Sequence, residues 1–308
     1  MRKPFVHALV GLAIAAVVAA CGSSTTGTKA ASAPSTTTTP QFPVIVRGVT
    51  LSQRPLHVVS MSPTATETLF AIGAGTQVIA VDKNSNYPSS APKGDLDAYN
   101  PSVEAVAAKS PDLVVVSDDT KGFVKGLQAL KIPVLVETAP TDIDGMYTEI
   151  TELGTATGHT DGAAKVVTDM KSGIQQAVAT TKAAGVSYYY ELDSTLYSQT
   201  SRTFLGKVLG TIGLVNIADA AKGTSDYPQL SAEYVIKANP DLVLLADTKC
   251  CQQSEATVAA RPGWSTMKAV SGHHVVTLDD DVASRWGPRI VDLLRTVAAA
   301  ATKVKAGG

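Results

Sequence analysis

Apolar residues along this chain alternate between short unbroken runs and positions spaced three or four residues apart. The unbroken runs, such as Leu113–Val116, are bounded by turn residues, which is typical of buried strands in a parallel sheet. The stretches between them have the spacing of amphipathic helices. This alternation predicts an α/β fold, with strands at 57–61, 78–81, 113–116, 134–136, 186–192, 242–246 and 275–278.

One segment occurs twice, at residues 100–116 and 229–245. In each copy a glutamate, Glu104 or Glu233, lies at the start of a short helical pattern, and a Pro-Asp pair then precedes an apolar run. Proline cannot continue a helix, so the boundary between helix and strand is well defined. Two copies are too few for a solenoid and instead predict two similar lobes facing each other across a cleft.

Residues 142–185 lose the strand pattern, and their apolar residues recur at helical spacing. Asp161 is predicted to cap a long helix that ends at Gly185. This region is expected to join an N-terminal α/β lobe, residues 42–141, to a C-terminal α/β lobe, residues 186–308.

The beginning of the chain indicates export. Arg2 and Lys3 precede an apolar stretch that ends in Val-Ala-Ala-Cys at Cys21, and this resembles the lipobox of bacterial lipoproteins. The resemblance implies a signal peptide over residues 1–20 and a lipid on Cys21; an ordinary cleaved signal is the alternative. Residues 21–41, rich in Ser, Thr and Ala, are predicted to be a disordered tether. The protein is therefore expected outside the cytoplasm, anchored to the cell membrane (in a periplasm or on the outer face).

Charge and cysteine content limit the remaining function classes. Without Arg2 and Lys3, 24 basic residues stand against 27 acidic ones, a net charge of −3, which does not favour nucleic-acid binding. Besides Cys21 the chain has only Cys250 and Cys251, which could form a vicinal disulfide, pair between chains or stay reduced. We favour the disulfide, because two cysteines alone do not make a metal site.

Several short motifs give the chain a family resemblance. From about residue 54 to residue 303 it resembles the iron-chelate and vitamin B12 class of substrate-binding proteins, which serve ATP-driven importers. The resemblance implies two Rossmann-like lobes joined by one long backbone helix, the class III periplasmic-binding-protein fold. The matching motifs are Ser-Pro-Thr-Ala-Thr-Glu at 62–67, Asn-Tyr-Pro at 86–88, both repeats, Tyr-Pro-Gln at 227–229, Arg-Pro-Gly-Trp at 261–264 and Ser-Arg-Trp-Gly-Pro-Arg at 284–289.

The resemblance also implies roles for individual residues. One surface glutamate per lobe docks on the permease in this class, so Glu104 and Glu233 are the docking candidates; stabilisation of a helix N-terminus is the alternative role. Arg285 is expected at the mouth of the cleft, where it contacts the ligand or pairs with the acidic run 279–281. The ligand-binding candidates are Pro63, Thr64, Tyr87, Tyr99, Tyr227, Arg285 and Trp286.

Other residues near these motifs receive structural roles. Ser62 is expected to cap a helix, Trp264 to anchor the core, and the acidic run 279–281 to form a solvated turn. Arg202 has no motif to support a ligand role.

The ligand is expected to be a cobalt or iron chelate, and no resident cofactor or metal site is predicted. A corrinoid is favoured over a ferric siderophore and over haem, whose iron could take Tyr87 or Tyr227 as axial ligand. A free metal ion is a weaker alternative, because His273 and His274 are adjacent and point to opposite faces of a strand. The sequence carries no GxSxG, HExxH, P-loop or GxGxxG motif, so we expect a monomeric receptor rather than an enzyme.

Overall fold

Two four-stranded parallel sheets form the two halves of the molecule, and a short antiparallel hairpin precedes them. The computed structural model describes residues 41–307. The hairpin consists of β1 (Val44–Val46) and β2 (Val49–Leu51). The first sheet contains β3 (Val58–Met61), β4 (Val78–Val81), β5 (Leu113–Val116) and β6 (Val134–Val136). The second contains β7 (Ser187–Glu191), β8 (Val215–Asn216), β9 (Leu242–Leu245) and β10 (Val275–Thr277).

The two sheets have the same topology. The strand order is β4-β3-β5-β6 in the first and β8-β7-β9-β10 in the second, with every neighbouring pair parallel. The prediction of two similar parallel α/β lobes is therefore confirmed. The helices are α1 (Pro63–Ala71), α2 (Val103–Ala107), α3 (Phe123–Ala129), α4 (Ile143–Thr157), α5 (Thr160–Thr180), α6 (Phe204–Gly210), α7 (Ala232–Ala238), α8 (Glu255–Ala259), α9 (Lys268–Ser271), α10 (Asp280–Ala283) and α11 (Ile290–Gly307).

The repeated segment forms the same structure in both lobes: α2 leads into β5, and α7 leads into β9. The Asp112 carboxylate accepts the backbone N–H groups of Leu56 and His57, at 2.8 and 2.9 Å, where the chain enters β3. The Asp241 carboxylate likewise accepts the backbone N–H of Ser187, at 3.0 Å, at the start of β7. Each Pro-Asp pair thus ties its strand to the neighbouring central strand.

Two helices, rather than one continuous segment, connect the lobes. α4 ends at Thr157, its C-cap Gly158 has a left-handed φ of 76°, and α5 follows as the long helix of 21 residues. His159 occupies the N-cap position and Asp161 lies inside the first turn, so the prediction of Asp161 as the cap is wrong. α5 also ends at Thr180, earlier than the predicted Gly185.

These connecting helices are packed tightly into both lobes. A Cβ atom at Gly162 of α5 would lie 2.0 Å from the backbone oxygen of Ile72 at the end of α1, so only glycine permits this approach. A single apolar cluster continues from Val58 in the first sheet through Ile174 of α5 to Leu294 of α11 and Leu242 in the second sheet. Because close-packed interiors resist deformation, the connection is stiff.

α1 follows the sequence prediction closely: Ser62 is its N-cap, with its hydroxyl accepting the N–H of Ala65, and Pro63 is its first residue. The predicted signal peptide, the lipidation site Cys21 and nearly all of the predicted tether lie outside the described residues. Within residues 41–307, no helix is both long and apolar enough to cross a membrane.

Candidate ligand-binding cleft

The carboxyl ends of strands in both sheets open into pockets, as expected for ligand sites in parallel α/β folds. One pocket, of about 170 Å³, lies in the N-terminal lobe beside Met61 at the end of β3 and Asp82 after β4. A second, of about 310 Å³, lies beside Leu192 after β7 and Ala246 after β9. Because Ala139, which follows β6, also lines the second pocket, that pocket lies between the lobes.

Five of the seven predicted ligand residues line these two pockets. Pro63 and Tyr99 line the N-terminal pocket, and Tyr227, Arg285 and Trp286 line the interlobe pocket. Thr64 is buried and borders a small cavity that Trp286 also lines. Tyr87 lies at neither pocket; its ring, 45% exposed, is covered on one face by the guanidinium of Arg289 at 4.1 Å.

Arg285 is held almost entirely by the protein itself. Its side chain is buried, and its Nη1 donates to Glu67 Oε1 at 2.5 Å. Its Nη2 donates to the Asn84 backbone oxygen at 2.9 Å, and to Asn86 Oδ1 and Asp281 Oδ1 at 3.0 Å each. The expected alternative, pairing with the acidic run, is confirmed for Asp281. The guanidinium connects the two lobes, and both of its terminal nitrogens already donate to protein acceptors.

Glu67 accepts a second arginine from the C-terminal lobe. Arg289 Nε donates to Glu67 Oε2 at 2.8 Å, and Arg289 Nη2 donates to Glu67 Oε1. The Glu67 hydrogen bond is the largest influence on the pKa of Arg289, which lies above its usual value. We call Glu67, Arg285 and Arg289 the interlobe clasp. Sequence reasoning missed Glu67, although it is the last residue of the Ser-Pro-Thr-Ala-Thr-Glu motif.

The acidic run 279–281 is an anchoring point, so its prediction as a solvated turn is wrong. The Asp280 carboxylate accepts the backbone N–H groups of Thr248 and Lys249, both at 2.8 Å. The Lys249 ammonium in turn contacts Asp279 at 2.9 Å and Asp281 at 2.7 Å. These bonds fix the loop after β9 against the wall of the interlobe pocket.

Cys250 and Cys251 lie in that loop as free thiols, so the structure does not contain the predicted vicinal disulfide. The Cys250 backbone N–H also donates to Asp280, at 3.0 Å. Local desolvation, followed by the neighbouring Cys251 thiol and the nearby carboxylates, raises the pKa of the exposed Cys250 thiol. Cys250 is therefore protonated at neutral pH and a poor nucleophile.

The interlobe pocket has an apolar floor with one buried amide. Phe204, Leu205 and Ile290 supply apolar surface, and the Tyr227 side chain stands 55% exposed at the edge. Gln199 is only 3% exposed; its Oε1 accepts the Thr203 hydroxyl at 2.8 Å. Its Nε2 has no hydrogen-bond partner among the described residues. Sequence reasoning missed Gln199, because it lies in a polar loop without a motif.

The family assignment rests on a match over most of the chain. Residues 58–282 match the family model described as periplasmic binding protein. The chain belongs to this family. The match confirms the predicted family, whose members are extracytoplasmic substrate-binding proteins.

Named relatives and a solved structure agree with this assignment. The chain is 30% identical over 270 residues to the uncharacterized ABC transporter substrate-binding lipoprotein YvrC of Bacillus subtilis, covering 82% of this chain and 83% of the relative. It is 29% identical over 260 residues to a cobalamin-binding protein of Halobacterium salinarum, covering 81% and 70%. The vitamin B12-binding protein of Vibrio cholerae superposes with a TM-score of 0.68 at 21% identity, covering 82% and 98%. The fold is that of class III periplasmic binding proteins, as predicted.

In this periplasmic binding protein, the docking candidates Glu104 and Glu233 occupy equivalent exposed positions. Each is the second residue of its helix, α2 or α7. The capping bonds are made by serines: Ser102 accepts the N–H of Ala105 at 3.1 Å, and Ser231 accepts that of Tyr234 at 3.2 Å.

Hydrogen bonds lower the pKa of both glutamates. For each carboxylate, the bond from its own backbone N–H has the largest effect, followed by the bond from the neighbouring serine hydroxyl. Both carboxylates are therefore ionised and exposed at neutral pH.

Proposed function

We propose that this periplasmic binding protein captures a metal chelate between its lobes and delivers it to the permease of an ABC importer. The observation that carries the proposal is the pocket of about 310 Å³ that both lobes line. It combines aromatic side chains, an apolar floor and a buried amide, the composition expected of a site for a small molecule. The B. subtilis relative, named as an ABC transporter substrate-binding lipoprotein, supports the transport role. The proposed role is binding and delivery, without catalysis.

The charge around the cleft favours a corrinoid among the chelates. Arg285 and Arg289 are paired with Glu67, and Lys249 is paired with Asp279 and Asp281. Anionic siderophores and the propionates of haem need cationic partners, and these cations are already neutralised. A corrinoid presents neutral carboxamides at its edge, which suit the buried Gln199 amide, and an apolar face, which suits aromatic side chains. The cobalamin-binding protein of H. salinarum supports this choice.

The positions of the described histidines also favour a corrinoid over haem. His57 precedes β3, and His273 and His274 precede β10, so all three lie at the amino ends of strands. His159 lies between α4 and α5. The interlobe pocket lies at the opposite, carboxyl ends of the strands, where Tyr227 would have to supply an axial oxygen to haem iron. Residues 41–307 contain no group of three or more side chains suited to hold a metal ion, which makes a free-ion receptor the weakest choice.

We further propose that the protein acts as a monomer held to the membrane by a lipid on Cys21. Glu104 and Glu233 then dock the loaded receptor on cationic side chains of the permease, one glutamate from each lobe. Their exposure and ionisation support this role, since an ionised carboxylate at a rim speeds encounter with a positive partner.

A ligand titration tests the binding proposal. The purified protein is titrated with cyanocobalamin, haem and ferric siderophores while tryptophan fluorescence is followed and corrected for ligand absorbance. Saturable quenching by cyanocobalamin, at micromolar concentrations or below, is the expected result. Saturation by haem or a siderophore alone would replace the corrinoid, and no saturation by any of them would contradict chelate capture.

An uptake assay tests the docking proposal. The double variant Glu104→Ala, Glu233→Ala should keep its ligand affinity and lose most ligand uptake in cells that depend on this receptor. The matched control is Asp169→Ala, Asp292→Ala, which removes two exposed carboxylates from α5 and α11. Equal uptake by both double variants would refute a docking role for the glutamates.

A further inference from the structure

Two buried glutamates face a small cavity directly behind the ligand cleft. Glu137 follows β6 and is 3% exposed, and Glu149 on α4 is 6% exposed. Both line a cavity of about 10 Å³, together with Ser62 and Thr64 at the start of α1. Neither carboxylate oxygen of Glu137 has a hydrogen-bond partner among the described residues.

One arginine side chain provides the positive charge next to these two glutamates and next to a third, Glu152. Arg47, in the turn between β1 and β2, places its Nη2 3.3 Å from Glu137 Oε2 and 3.4 Å from Glu149 Oε1. Its Nε donates to Glu152 Oε2 at 2.8 Å. Apart from Glu137 and Glu149, the residues that line the cavity are uncharged, and its α1 end contributes the hydroxyl groups of Ser62, Thr64 and Thr68. Arg47 and Glu152 complete the charged groups that act on the two buried glutamates.

The cluster therefore retains a proton at neutral pH. If all three glutamates were ionised, two negative charges would remain uncompensated in a mostly buried site, which is strongly unfavourable. Burial, opposed by Arg47 and reinforced by the neighbouring glutamates, raises the pKa of Glu137 to about 8. Burial likewise raises the pKa of Glu149 to about 7, against the lowering effects of Arg47 and the Trp286 indole.

Trp286 connects this cluster to the ligand cleft. Its side chain lines the interlobe pocket of about 310 Å³ on one side and the cavity of about 10 Å³ on the other. The Glu149 carboxylate lines the same small cavity as the indole, and the neighbouring indole lowers the pKa of that carboxylate. A ligand that presses on Trp286 therefore acts on a group that shares a cavity with a titrating carboxylate.

We propose that Glu149 is a positioning residue for Trp286, and that the proton held by Glu137 and Glu149 sets how firmly the indole is held in the cleft. The proposal rests on the proposed function of the cleft. In this proposal the indole N–H donates to Glu149. Because an ionised carboxylate accepts a hydrogen bond more strongly than a neutral one, loss of the proton fixes Trp286. By linkage, a ligand that needs a fixed Trp286 binds more tightly as pH rises from 6 to 8, and its binding releases protons.

The first test needs no ligand and reads the Trp286 indole directly. Tryptophan fluorescence is measured between pH 5 and pH 9 for the protein and for Trp286→Phe, and the difference isolates Trp286. This subtraction matters because Trp264, the other tryptophan, packs on Arg261 close to a second buried acid, Asp247. Burial and the neighbouring Glu191 raise the pKa of Asp247 to about 7 as well.

The expected difference signal titrates with a midpoint near pH 7, survives in Glu152→Gln and Asp247→Asn, and disappears in Glu149→Gln. A flat difference signal, or one that persists in Glu149→Gln, overturns the proposal. If Glu149→Gln does not fold, Glu137→Gln serves in its place. With one carboxylate of the pair neutralised, the midpoint assigned to Glu149 should fall, and an unchanged midpoint overturns the proposal.

The second test measures cyanocobalamin affinity by calorimetry at pH 6 and pH 8, in buffers of different ionisation enthalpy. The protein should bind more tightly at pH 8, by up to about tenfold for each unit by which the ligand lowers the pKa of Glu149. Glu149→Gln should show the same affinity at both pH values. Equal pH dependence in both proteins overturns the linkage, whereas no binding at any pH contradicts the proposed function and leaves the fluorescence test to decide.

Discussion

Replacement of Glu67 by alanine tests the interlobe clasp. Glu67 is 3% exposed and accepts hydrogen bonds from two arginines of the opposite lobe. Its removal leaves the Arg285 side chain, 7% exposed, with neutral acceptors and Asp281. It leaves Arg289, 20% exposed, over the ring of Tyr87 and under the weaker influence of Asp279. The variant thus leaves buried positive charge without its main partner.

The expected loss of stability is large. Breaking a buried ion pair by removing one partner costs about 3–5 kcal/mol, because the remaining charge stays desolvated. Arg289 is partly solvated, so the lower half of that range is the best expectation. At about 2–4 °C per kcal/mol for a domain of this size, Tm should fall by roughly 6–16 °C. Glu67→Gln keeps the shape and one acceptor, and should lose less.

Thermal unfolding followed by circular dichroism measures this effect. The control is Asp169→Ala, which breaks the exposed Lys165–Asp169 pair and should change stability by less than about 1 kcal/mol. Small-angle X-ray scattering should also show a wider distribution of lobe separations in Glu67→Ala. A Tm within 2 °C of the control, by the same conversion a loss of about 1 kcal/mol or less, would refute the clasp as a stabilising element.

Three further substitutions test the cleft and the packing that supports it. Tyr227→Ala should weaken chelate binding by about 1–3 kcal/mol in calorimetry, the range for an aromatic anchor, and unchanged affinity would place the ligand elsewhere. Gly162→Ala should lower the free energy of unfolding, measured by urea denaturation, by about 1–3 kcal/mol, because the new Cβ would lie 2.0 Å from the Ile72 oxygen; unchanged stability would contradict the close packing of α5 on α1. Asp241→Ala should lower the free energy of unfolding by about 1–3 kcal/mol in the same assay, because it removes the acceptor for the Ser187 N–H and hydroxyl. Unchanged stability would show that the Pro-Asp pair of the repeat does not stabilise the sheet.

Elements with strong local signals could be predicted from the sequence. β4, β5 and β6 begin and end at the predicted residues, because each is a short apolar run bounded by turn residues. α1 carries both a serine cap and a proline at its first position, and Trp264 is buried at 1% exposure, as expected for a core anchor. The repeated segment also indicated the matching topology of the two sheets.

Features that depend on contacts distant in sequence could not be predicted. Arg285 and Glu67 are 218 residues apart, and nothing local to either residue indicates the pairing. Arg47 is likewise distant in sequence from its partners Glu137 and Glu149. The hairpin that carries Arg47 has strands of three residues, which are too short to show a clear alternation of apolar and polar positions. The buried amide of Gln199 becomes a candidate site only once the lobes enclose it.

Calorimetric titration of cyanocobalamin into the protein and into a Gln199→Leu, Tyr227→Ala variant tests chelate capture between the lobes most directly. The account predicts one saturable site per chain in the protein, and an affinity at least about tenfold weaker in the variant, since each tenfold step corresponds to about 1.4 kcal/mol. Equal affinity in the two proteins, or no heat of binding in either, would contradict it.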